Sequence, residues 1–339
     1  MANDKPMKIL VITLSNLGDT LLSYPALTAF WYAYPQAEFH VLASPRNKEL
    51  FIVNPRVRRV WVLDKQVGFW KQGLMTLDLV LERFSLVVDF RNTLIPLLMP
   101  WVRRTPVFFR PKPGDRHRAD THLELVTRLG IRPYEARIRL PFDSREERKV
   151  EQWLEPGRTP VVMVPGARSH LKRWGAEKFA EVADRLIEQH NAQILLAGEE
   201  AERPIADQVV AAMRHKATDM VGKTTVRQLA DLISHAKLVV TNDNACLHMA
   251  SMAGAPTVAI FGPTDERKYG PRAPGSIVVR RTMVCAPCEL ALCPYTHGCM
   301  RWITADEVYK AAAKVLEAGG VKTVRAELVE ARTEKGQKS

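Results

Sequence analysis

Short, continuous apolar runs recur along the chain and alternate with stretches in which apolar residues have helical spacing. The first run is Lys8–Leu14, and strand-like runs follow at Glu38–Ala43, Val57–Leu63 and Ser85–Phe90. Strands with apolar side chains on both faces are typical of parallel sheets that helices cover on both sides. Together with a helix predicted from Thr20 to about Tyr32, this pattern predicts a doubly wound α/β unit.

A second cycle of the same kind begins with the strand Pro160–Pro165. Its further predicted strands are Ala192–Ala197, Leu238–Thr241 and Thr257–Phe261, and its predicted helices are Ala176–His190, Ile205–Arg214, Thr225–His235 and Ala245–Ala253. The segment Phe142–Thr159 between the cycles has the composition of a linker. We therefore predict an α/β protein with two Rossmann-like, doubly wound parallel sheets, in domains 1–150 and 151–318. Residues 319–339 are expected to form a charged, partly disordered tail.

The composition excludes several classes of protein but does not identify a function. Of 339 residues, 46% are hydrophobic and 25% charged, which excludes a disordered, fibrous or disulfide-stapled chain. The net charge of +12 favours an anionic partner, which includes nucleic acid, a phosphorylated substrate and an anionic membrane face. We expect a cytoplasmic protein, because the five cysteines form no secreted framework and no signal peptide is visible.

Polar residues follow directly after several predicted strands, where open α/β sheets bind their ligands. Asp19 follows the first strand, within Asn16–Thr20. It suits the N-cap of the next helix, and it equally suits a general base that takes a proton from a sugar hydroxyl. Position alone leaves both interpretations open.

The first strand of the second cycle leads into Pro165–Trp174, a loop with a Gly turn, a hydroxyl and several cations. Those polar side chains are Arg168, Ser169, Lys172 and Arg173. A helix N-terminus favours an anion, and Lys and Arg add charge-assisted bonds to phosphate oxygens. A solvated basic loop is the alternative. The chain has no Walker pattern, which argues against an ATPase.

Two later strand ends carry similar residues. Asp243, after the strand Leu238–Thr241, suits a helix cap or a contact to a ribose hydroxyl. His248, one turn further on, suits a core position as well as a site. Phe261–Asp265 again ends in a hydroxyl, Thr264, and a carboxylate.

In their order along the chain, these pieces resemble glycosyltransferase family 9, the ADP-heptose:lipopolysaccharide heptosyltransferases. The matching pieces are Leu17–Thr20, Pro165–Ala167 with Lys172–Trp174, Asn242–Asp243 with His248, and Phe261–Asp265. The resemblance covers about residues 7–316, and the last two pieces are the most specific because their mutual spacing also fits. The chain departs from the family pattern at Asn244–Leu247 and at Gly175, positions that bear on the donor more than on the fold.

The resemblance implies the GT-B fold, with two Rossmann-like domains facing across a cleft. Residues 1–150 would bind the acceptor and residues 151–318 the nucleotide sugar. The implied reaction is an inverting, metal-independent transfer of heptose from ADP-heptose to the inner core of lipopolysaccharide.

The same resemblance implies roles for single residues. Asp19 would be the general base, and Lys172 with Arg173 would hold the donor diphosphate. Asp243 would contact the nucleoside or donor sugar, and Thr264 would lie close to the phosphates. The remaining donor-binding candidates are Arg168, Ser169, Glu199, Glu200, Asn244 and His248.

Residues 101–118 form a basic segment with a single acidic residue, Asp115. Its cations are Arg103, Arg104, Arg110, Lys112, Arg116 and Arg118, and Arg91 follows the preceding strand. A solvated loop is one interpretation. The other is an acceptor site for the anionic inner core, or a peripheral contact with the cytoplasmic face of the inner membrane.

Four cysteines form a C-x2-C-x4-C-x5-C pattern, at Cys285, Cys288, Cys293 and Cys299. Such a group suggests a structural Zn or Fe site, with His297 as a substitute ligand. Some members of the family are thought to hold iron at this place. Because the gaps are looser than in a zinc ribbon, a metal-free structural loop is the alternative. No cofactor is expected to take part in the transfer.

Other functions remain as alternatives at this level. One is a transferase of the same kind that uses another nucleotide sugar or acceptor, or an epimerase. A second is a non-catalytic protein that binds anions or RNA, although the chain has no RNA-binding signature. A nicotinamide dehydrogenase is excluded because no G-x-G-x-x-G follows either leading strand.

Overall fold

The structure, a computed structural model, describes residues 6–64, 66–106, 116–133 and 149–319. Contacts divide the chain into two compact units, Met1–Asp143 and Ser144–Ser339. The predicted tail beyond residue 319, part of the predicted linker, and the basic residues Arg110 and Lys112 lie outside the described residues.

The first unit contains a parallel sheet in the order β3-β2-β1-β4-β5. Its strands are β1 (Lys8–Ile12), β2 (Glu38–Ala43), β3 (Val57–Val62), β4 (Leu86–Asp89) and β5 (Arg103–Arg104). Its helices are α1 (Leu17–Ala33), α2 (Glu49–Ile52), α3 (Phe69–Leu81) and α4 (Arg118–Thr127). The central strand β1 is buried on both faces, as its continuous apolar sequence predicts. Leu10 and Ile12 pack on one face against Leu79 of α3 and Met99.

The second unit contains a parallel sheet in the order β11-β10-β9-β6-β7-β8. Its strands are β6 (Thr159–Val164), β7 (Ala192–Leu196), β8 (Thr218–Asp219), β9 (Leu238–Asn242), β10 (Thr257–Phe261) and β11 (Ile277–Arg280). Its helices are α5 (Ala176–His190), α6 (Arg203–Ala212), α7 (Val226–His235), α8 (Ala245–Ala253), α9 (Glu266–Tyr269), α10 (Gly298–Arg301) and α11 (Ala305–Glu317). The apolar faces of α5 and α11 share one core with β6, β9 and β10.

Local sequence explains where several of these helices begin and end. Thr225 and Thr304 open α7 and α11 with capping boxes, in which Gln228 and Glu307 bond back to the cap residue. Helix α5 ends at Asn191, which takes the left-handed conformation at φ 49° that asparagine tolerates better than most residues.

The predicted α/β class, with two doubly wound parallel sheets, is confirmed. Strands β2 and β10 and helices α5 and α8 have the predicted bounds. The short edge strands β5, β8 and β11 and the helix α11 have no counterpart in the prediction.

Part of the basic segment has regular secondary structure, which contradicts the solvated loop that was one of its two interpretations. Arg103 and Arg104 form the edge strand β5, paired with Leu86 and Val87, and Arg118 is the first residue of α4.

Each sheet has one point at which the strand order reverses, between β1 and β4 and between β6 and β9. At such a point the loops after the two strands diverge to opposite faces and leave a crevice at the carboxyl edge, where ligands bind. Asp19, Arg91, Lys172 and Asp243 follow these four strands, and Thr264 follows the adjacent β10. Among the described residues, none of the helices is long and apolar enough to cross a membrane.

His40 is a buried titratable residue in the first unit. It lies on β2, 3% exposed, with its ring 5.2 Å from that of Phe84 in an edge-to-face contact. Neither ring nitrogen has a hydrogen-bond partner within the described part of the chain. Burial lowers the pKa of His40, and the nearby Glu82 carboxylate opposes this shift.

We expect the protein to lose stability as the pH falls below about 6.5, the ordinary histidine pKa. In that range the unfolded chain takes up a proton at His40 that the folded chain resists. His40→Leu should raise the free energy of unfolding at pH 5 by about 1 kcal/mol, because two unpaired nitrogens leave the core. Thermal unfolding of both proteins from pH 5 to 8 measures this. Parallel pH profiles for the two would contradict the assignment.

Candidate functional site

The loop after β6 is fixed at both ends by one buried asparagine. Asn242, the last residue of β9, donates from Nδ2 to the carbonyl oxygen of Pro165 at 2.7 Å. The Oδ1 atom of the same side chain accepts from the backbone N–H of Trp174 at 3.2 Å. Because both ends of the loop are tied to the neighbouring strand, the residues between them are held at the carboxyl edge of the sheet.

Within this loop, Lys172 forms an ion pair with Asp243. Lys172 Nζ lies 2.6 Å from Asp243 Oδ2, and Thr264 Oγ1 donates to the same oxygen at 2.8 Å. The Asp243 side chain is only 5% exposed, whereas that of Lys172 is 30% exposed. The Lys172 ammonium also lies 5.9 Å from the ring centroid of Tyr269. Three residues predicted from separate motifs therefore meet at one oxygen atom.

This arrangement suits the binding of an anion. A lysine ammonium has three N–H donors. One of them meets Asp243, which fixes the direction of the chain, and the partly exposed ammonium retains donors for a phosphate oxygen. A fixed cation is the group that stabilises charge developing on a leaving phosphate.

Asn244 and His248 make contacts within the chain. Asn244 is the N-cap of α8, where its Oδ1 accepts from the backbone N–H of Cys246 at 2.9 Å. Its Nδ2 donates to the carbonyl oxygen of Gly166 at 2.8 Å, which links α8 to the loop after β6. His248 is buried in α8. The Asn244 side chain therefore helps to hold the loop after β6 against the start of α8.

The other predicted cations of the loop have different surroundings. Arg173 donates from Nε to the carbonyl oxygen of Ala167 at 2.7 Å, inside the loop. Arg168 is exposed, and Ser169 precedes the 3₁₀ turn His170–Lys172. The Lys172 head group, by contrast, pairs with the Asp243 carboxylate.

An acidic cluster follows β7, and its most buried member was missed by the sequence prediction. Glu199 opens a 3₁₀ turn and Glu200 is exposed, but the carboxylate of Glu202 turns back to accept from the Glu199 backbone N–H at 2.9 Å. A Cβ atom at Gly166 would lie 2.2 Å from that carboxylate. Burial raises the pKa of Glu202, against the effect of the Glu199 hydrogen bond and the Arg173 charge.

In the first unit, Asp19 occupies the first turn of α1. The helix begins earlier than predicted, and its N-cap is Asn16, so the interpretation of Asp19 as the cap is wrong. Asp19 Oδ2 accepts from Asn16 Nδ2 at 3.0 Å, and the carboxylate is half-buried. Burial lowers the pKa of His122 on α4 to about 4, and the Asp19 charge opposes that shift. His122 is therefore a neutral neighbour of Asp19 near pH 7.

The predicted acceptor-binding arginines of the first unit form no single cluster within the described part of the chain. Arg103 Nη2 donates to Leu129 O at 2.8 Å, and Arg104 Nη1 to Pro96 O at 3.4 Å. Arg116 lies 3.6 Å from Glu124, and the charge of Arg118 lowers the pKa of His122.

Arg91 is placed by a residue that the sequence prediction missed. The buried carboxylate of Asp89 accepts from the Arg91 backbone N–H at 2.8 Å and from Thr93 Oγ1 at 2.8 Å. Burial raises the pKa of Asp89, and these hydrogen bonds oppose that shift. Arg91 thereby lies at the carboxyl end of β4, at the reversal of the first sheet.

The four cysteines of the loop after β11 surround a cavity of about 540 Å³, together with Leu171, Pro263 and His297. His297 Nε2 lies 2.6 Å from the carbonyl oxygen of Leu171. Burial and the three other thiols raise the pKa of Cys299. No three Cys, His, Asp or Glu side chains in the described ranges are gathered closely enough to hold a metal ion. The predicted tetrathiolate ligand set is therefore not formed in this arrangement.

We expect Gly166→Ala to destabilise the protein by about 1 kcal/mol, the usual value of a lost helix-cap bond. The new Cβ would displace the Glu202 carboxylate from the Glu199 backbone N–H. Gly175→Ala is a reference for glycine replacement without a clash, since its Cβ has no described neighbour closer than 3.8 Å, and it shows the separate cost of alanine at the N-cap of α5. In a Glu202→Ala background the cost of Gly166→Ala should vanish. Denaturant unfolding measures all four variants, and equal costs in the two backgrounds would refute the contact.

Comparison with known proteins agrees with the fold. The chain is 26% identical to lipooligosaccharide heptosyltransferase 2 of Campylobacter jejuni over 321 residues, covering 92% of this chain and 99% of the relative. The crystal structure of a family 9 glycosyl transferase from Veillonella parvula matches with a TM-score of 0.78 and 21% identity, covering 92% of this chain and 97% of that one. E. coli ADP-heptose lps heptosyltransferase II matches with a TM-score of 0.73 and 23% identity, over 92% and 99% of the two chains.

These likenesses confirm the predicted GT-B fold. The family model for glycosyltransferase family 9 (heptosyltransferase) matches residues 118–298, which is more than half of the chain. That range includes the three loops in which Lys172, Asp243 and Thr264 meet. The chain therefore belongs to glycosyltransferase family 9, the heptosyltransferases, and is a glycosyltransferase.

Proposed function

We propose that this glycosyltransferase moves a heptose from ADP-heptose to the inner core of lipopolysaccharide, with inversion at the anomeric carbon. The observation that carries the proposal is the contact of Lys172 and Thr264 with one oxygen of Asp243, at the strand-order reversal of the second sheet. The names of the C. jejuni and E. coli relatives supply the sugar and the acceptor class.

The donor diphosphate is assigned to the loop after β6. Its oxygens would accept hydrogen bonds from the Lys172 ammonium, which Asp243 already orients. As the bond between the anomeric carbon and the phosphate oxygen breaks, negative charge grows on that oxygen. A preorganised cation stabilises this charge without reorganisation, and the leaving group departs as ADP.

The acceptor hydroxyl is assigned to Asp19. Its half-buried carboxylate would take the hydroxyl proton while the acceptor oxygen bonds to the anomeric carbon. Attack from the side opposite to the leaving ADP inverts the anomeric centre. The neighbouring His122 is neutral near pH 7 because burial lowers its pKa to about 4, so it leaves the Asp19 carboxylate without a positive neighbour there.

The charge of the first unit fits an anionic acceptor. Residues 1–143 contain 21 Lys and Arg against 13 Asp and Glu, so this unit carries a net charge of +8 of the total +12. An excess of this sign attracts phosphorylated and carboxylated sugars to the unit that also contains Asp19. We propose that it acts as the acceptor unit of a cytoplasmic enzyme.

A donor and acceptor panel tests the proposal directly. Purified enzyme is incubated with ADP-heptose, another ADP-sugar or a UDP-sugar, each with truncated lipopolysaccharides, and the products are identified by mass spectrometry. The proposal is supported if products form with ADP-heptose and do not form with the other ADP-sugar or the UDP-sugar. Transfer only from another nucleotide sugar would instead support a family member of different specificity.

We expect Asp19→Asn to lower turnover by roughly two to four orders of magnitude, the scale of losing a general base. The affinity for ADP should change little. Asp120→Asn is the matched control, because Asp120 has the equivalent third position in α4 that Asp19 has in α1. Both variants remove one acidic group from a helix N-terminus, so their melting temperatures should fall alike. Near-normal turnover of the Asp19 variant would rule out its role as the base.

We expect Lys172→Ala to weaken ADP binding and to lower turnover, because the diphosphate loses its fixed cation. The loss of one charge-assisted bond corresponds to roughly ten- to a hundredfold in affinity. Lys216→Ala is the control, since Lys216 is an exposed lysine of the same unit. Calorimetric titration with ADP and initial-rate kinetics separate the two effects. If neither quantity changes in the Lys172 variant, the diphosphate binds elsewhere.

A further inference from the structure

Helix α3 has apolar side chains on two opposite faces. Met75 and Val80 pack, with Leu79, into the core beneath the first sheet. A second row faces outward along the helix and consists of Trp70, Leu74, Leu77 and Leu81, here named the α3 stripe. Trp70 is 83% exposed, and the three leucines are 56% to 67% exposed. Spacings of four, three and four residues place the whole stripe on one narrow strip of the helix surface.

A second exposed apolar group follows β4. This group lies in and around the 3₁₀ turn Ile95–Leu98. Its members are Leu94, Leu97, Leu98 and Trp101, whose side chains are 46% to 64% exposed. Ile95 and Met99 of the same segment pack inward into the core that also receives α3. Both groups therefore lie on the same side of the first sheet.

Exposing the apolar side chains of these two groups to water is unfavourable. Exposed apolar patches of this kind mark interaction sites in globular proteins. Cations lie near both groups. Lys71 is exposed beside the α3 stripe, as is Asp78, whose carboxylate pairs with Arg59 at 3.4 Å. Arg103 and Arg104 directly follow Trp101 and Val102. Tryptophan and leucine flanked by cations are typical of surfaces that lie in the headgroup region of a bilayer.

We propose that the α3 stripe and the Leu94–Trp101 segment form a docking surface for an anionic phospholipid bilayer. The net charge of +8 on the first unit is complementary to acidic headgroups, and it disfavours a second copy of the same face. None of the described helices can span a membrane, so the contact is one of a surface lying on the bilayer.

This inference rests on the proposed function in one respect, because a lipopolysaccharide acceptor is itself anchored in a membrane. A transferase held at that membrane meets the acceptor at a higher effective concentration than one in solution. The surface itself is defined by exposure and charge, and a test of binding needs neither donor nor acceptor.

The test measures sedimentation of the full chain with vesicles of phosphatidylglycerol and phosphatidylcholine. We expect wild-type protein to bind these vesicles, to bind pure phosphatidylcholine more weakly, and to dissociate as salt screens the charges. Leu74→Gln combined with Leu77→Gln should lower the partition coefficient roughly tenfold or more, since two leucines leave the apolar phase. Val210→Gln is the control. Val210 is an apolar residue, 47% exposed, on helix α6 of the second unit, and its variant should bind as wild type does.

Three further measurements distinguish the possible results of this test. Melting temperatures check that the leucine double variant folds, and light scattering gives its oligomeric state. Unchanged vesicle binding by a folded double variant would overturn the proposal, and so would a wild-type dimer that the variant converts to a monomer. Transfer to a detergent-dispersed, truncated acceptor should survive in the double variant. A wild type that binds vesicles but transfers no heptose would leave the docking surface standing and refute the proposed function.

Discussion

The arrangement of loops in the second unit depends on the ion pair and the hydrogen bond made by one buried carboxylate, that of Asp243. Asp243 has little contact with water, and an unpaired charge in such a place is strongly unfavourable. Lys172 and Thr264 both bind its Oδ2 atom, so the loops after β6, β9 and β10 are joined at one point. Removing Lys172 would leave the charge of a carboxylate that is 5% exposed without its cation, and each partner of Asp243 belongs to a different loop. The ion pair is thus a structural joint as well as the charged centre of the site.

Around that joint, the chain uses uncharged side chains to fix the backbone. Asn242 ties both ends of the loop after β6, and Asn244 ties Gly166 to the start of α8. Together these amides hold the loop that carries Lys172. In the first unit, Asp89 fixes the turn that carries Arg91 in the same manner. In both units, therefore, a buried polar residue that bonds to the backbone holds the segment carrying a partly exposed cation.

Much of the fold follows from the sequence, because the buried strands are short, apolar and separated by amphipathic helices. The edge strands β5 and β8 were missed for a physical reason: two-residue strands have no periodicity to detect, and Arg103 and Arg104 read as a solvated loop. Lys172, Asp243 and Thr264 could be singled out from the sequence because each follows a predicted strand, and the structure adds that they meet at one oxygen atom. Glu202 was missed because its role arises from a backbone turn that brings it back toward Gly166, a contact between residues 36 positions apart. The start of α1 was placed late, and the interpretation of Asp19 as a cap failed with it.

The carboxylate paired with Lys172 also bears on the release of product. A lysine with no counter-ion would hold a diphosphate at the full strength of its charge and would be left unpaired in a partly desolvated place when ADP departs. In this chain the ammonium has a resident counter-ion, the Asp243 carboxylate, at 2.6 Å. In the proposed reaction the emptied site would already be neutralised, so ADP could leave before a new anion arrives. The pair would thereby moderate affinity for the spent nucleotide, and turnover need not be limited by its departure.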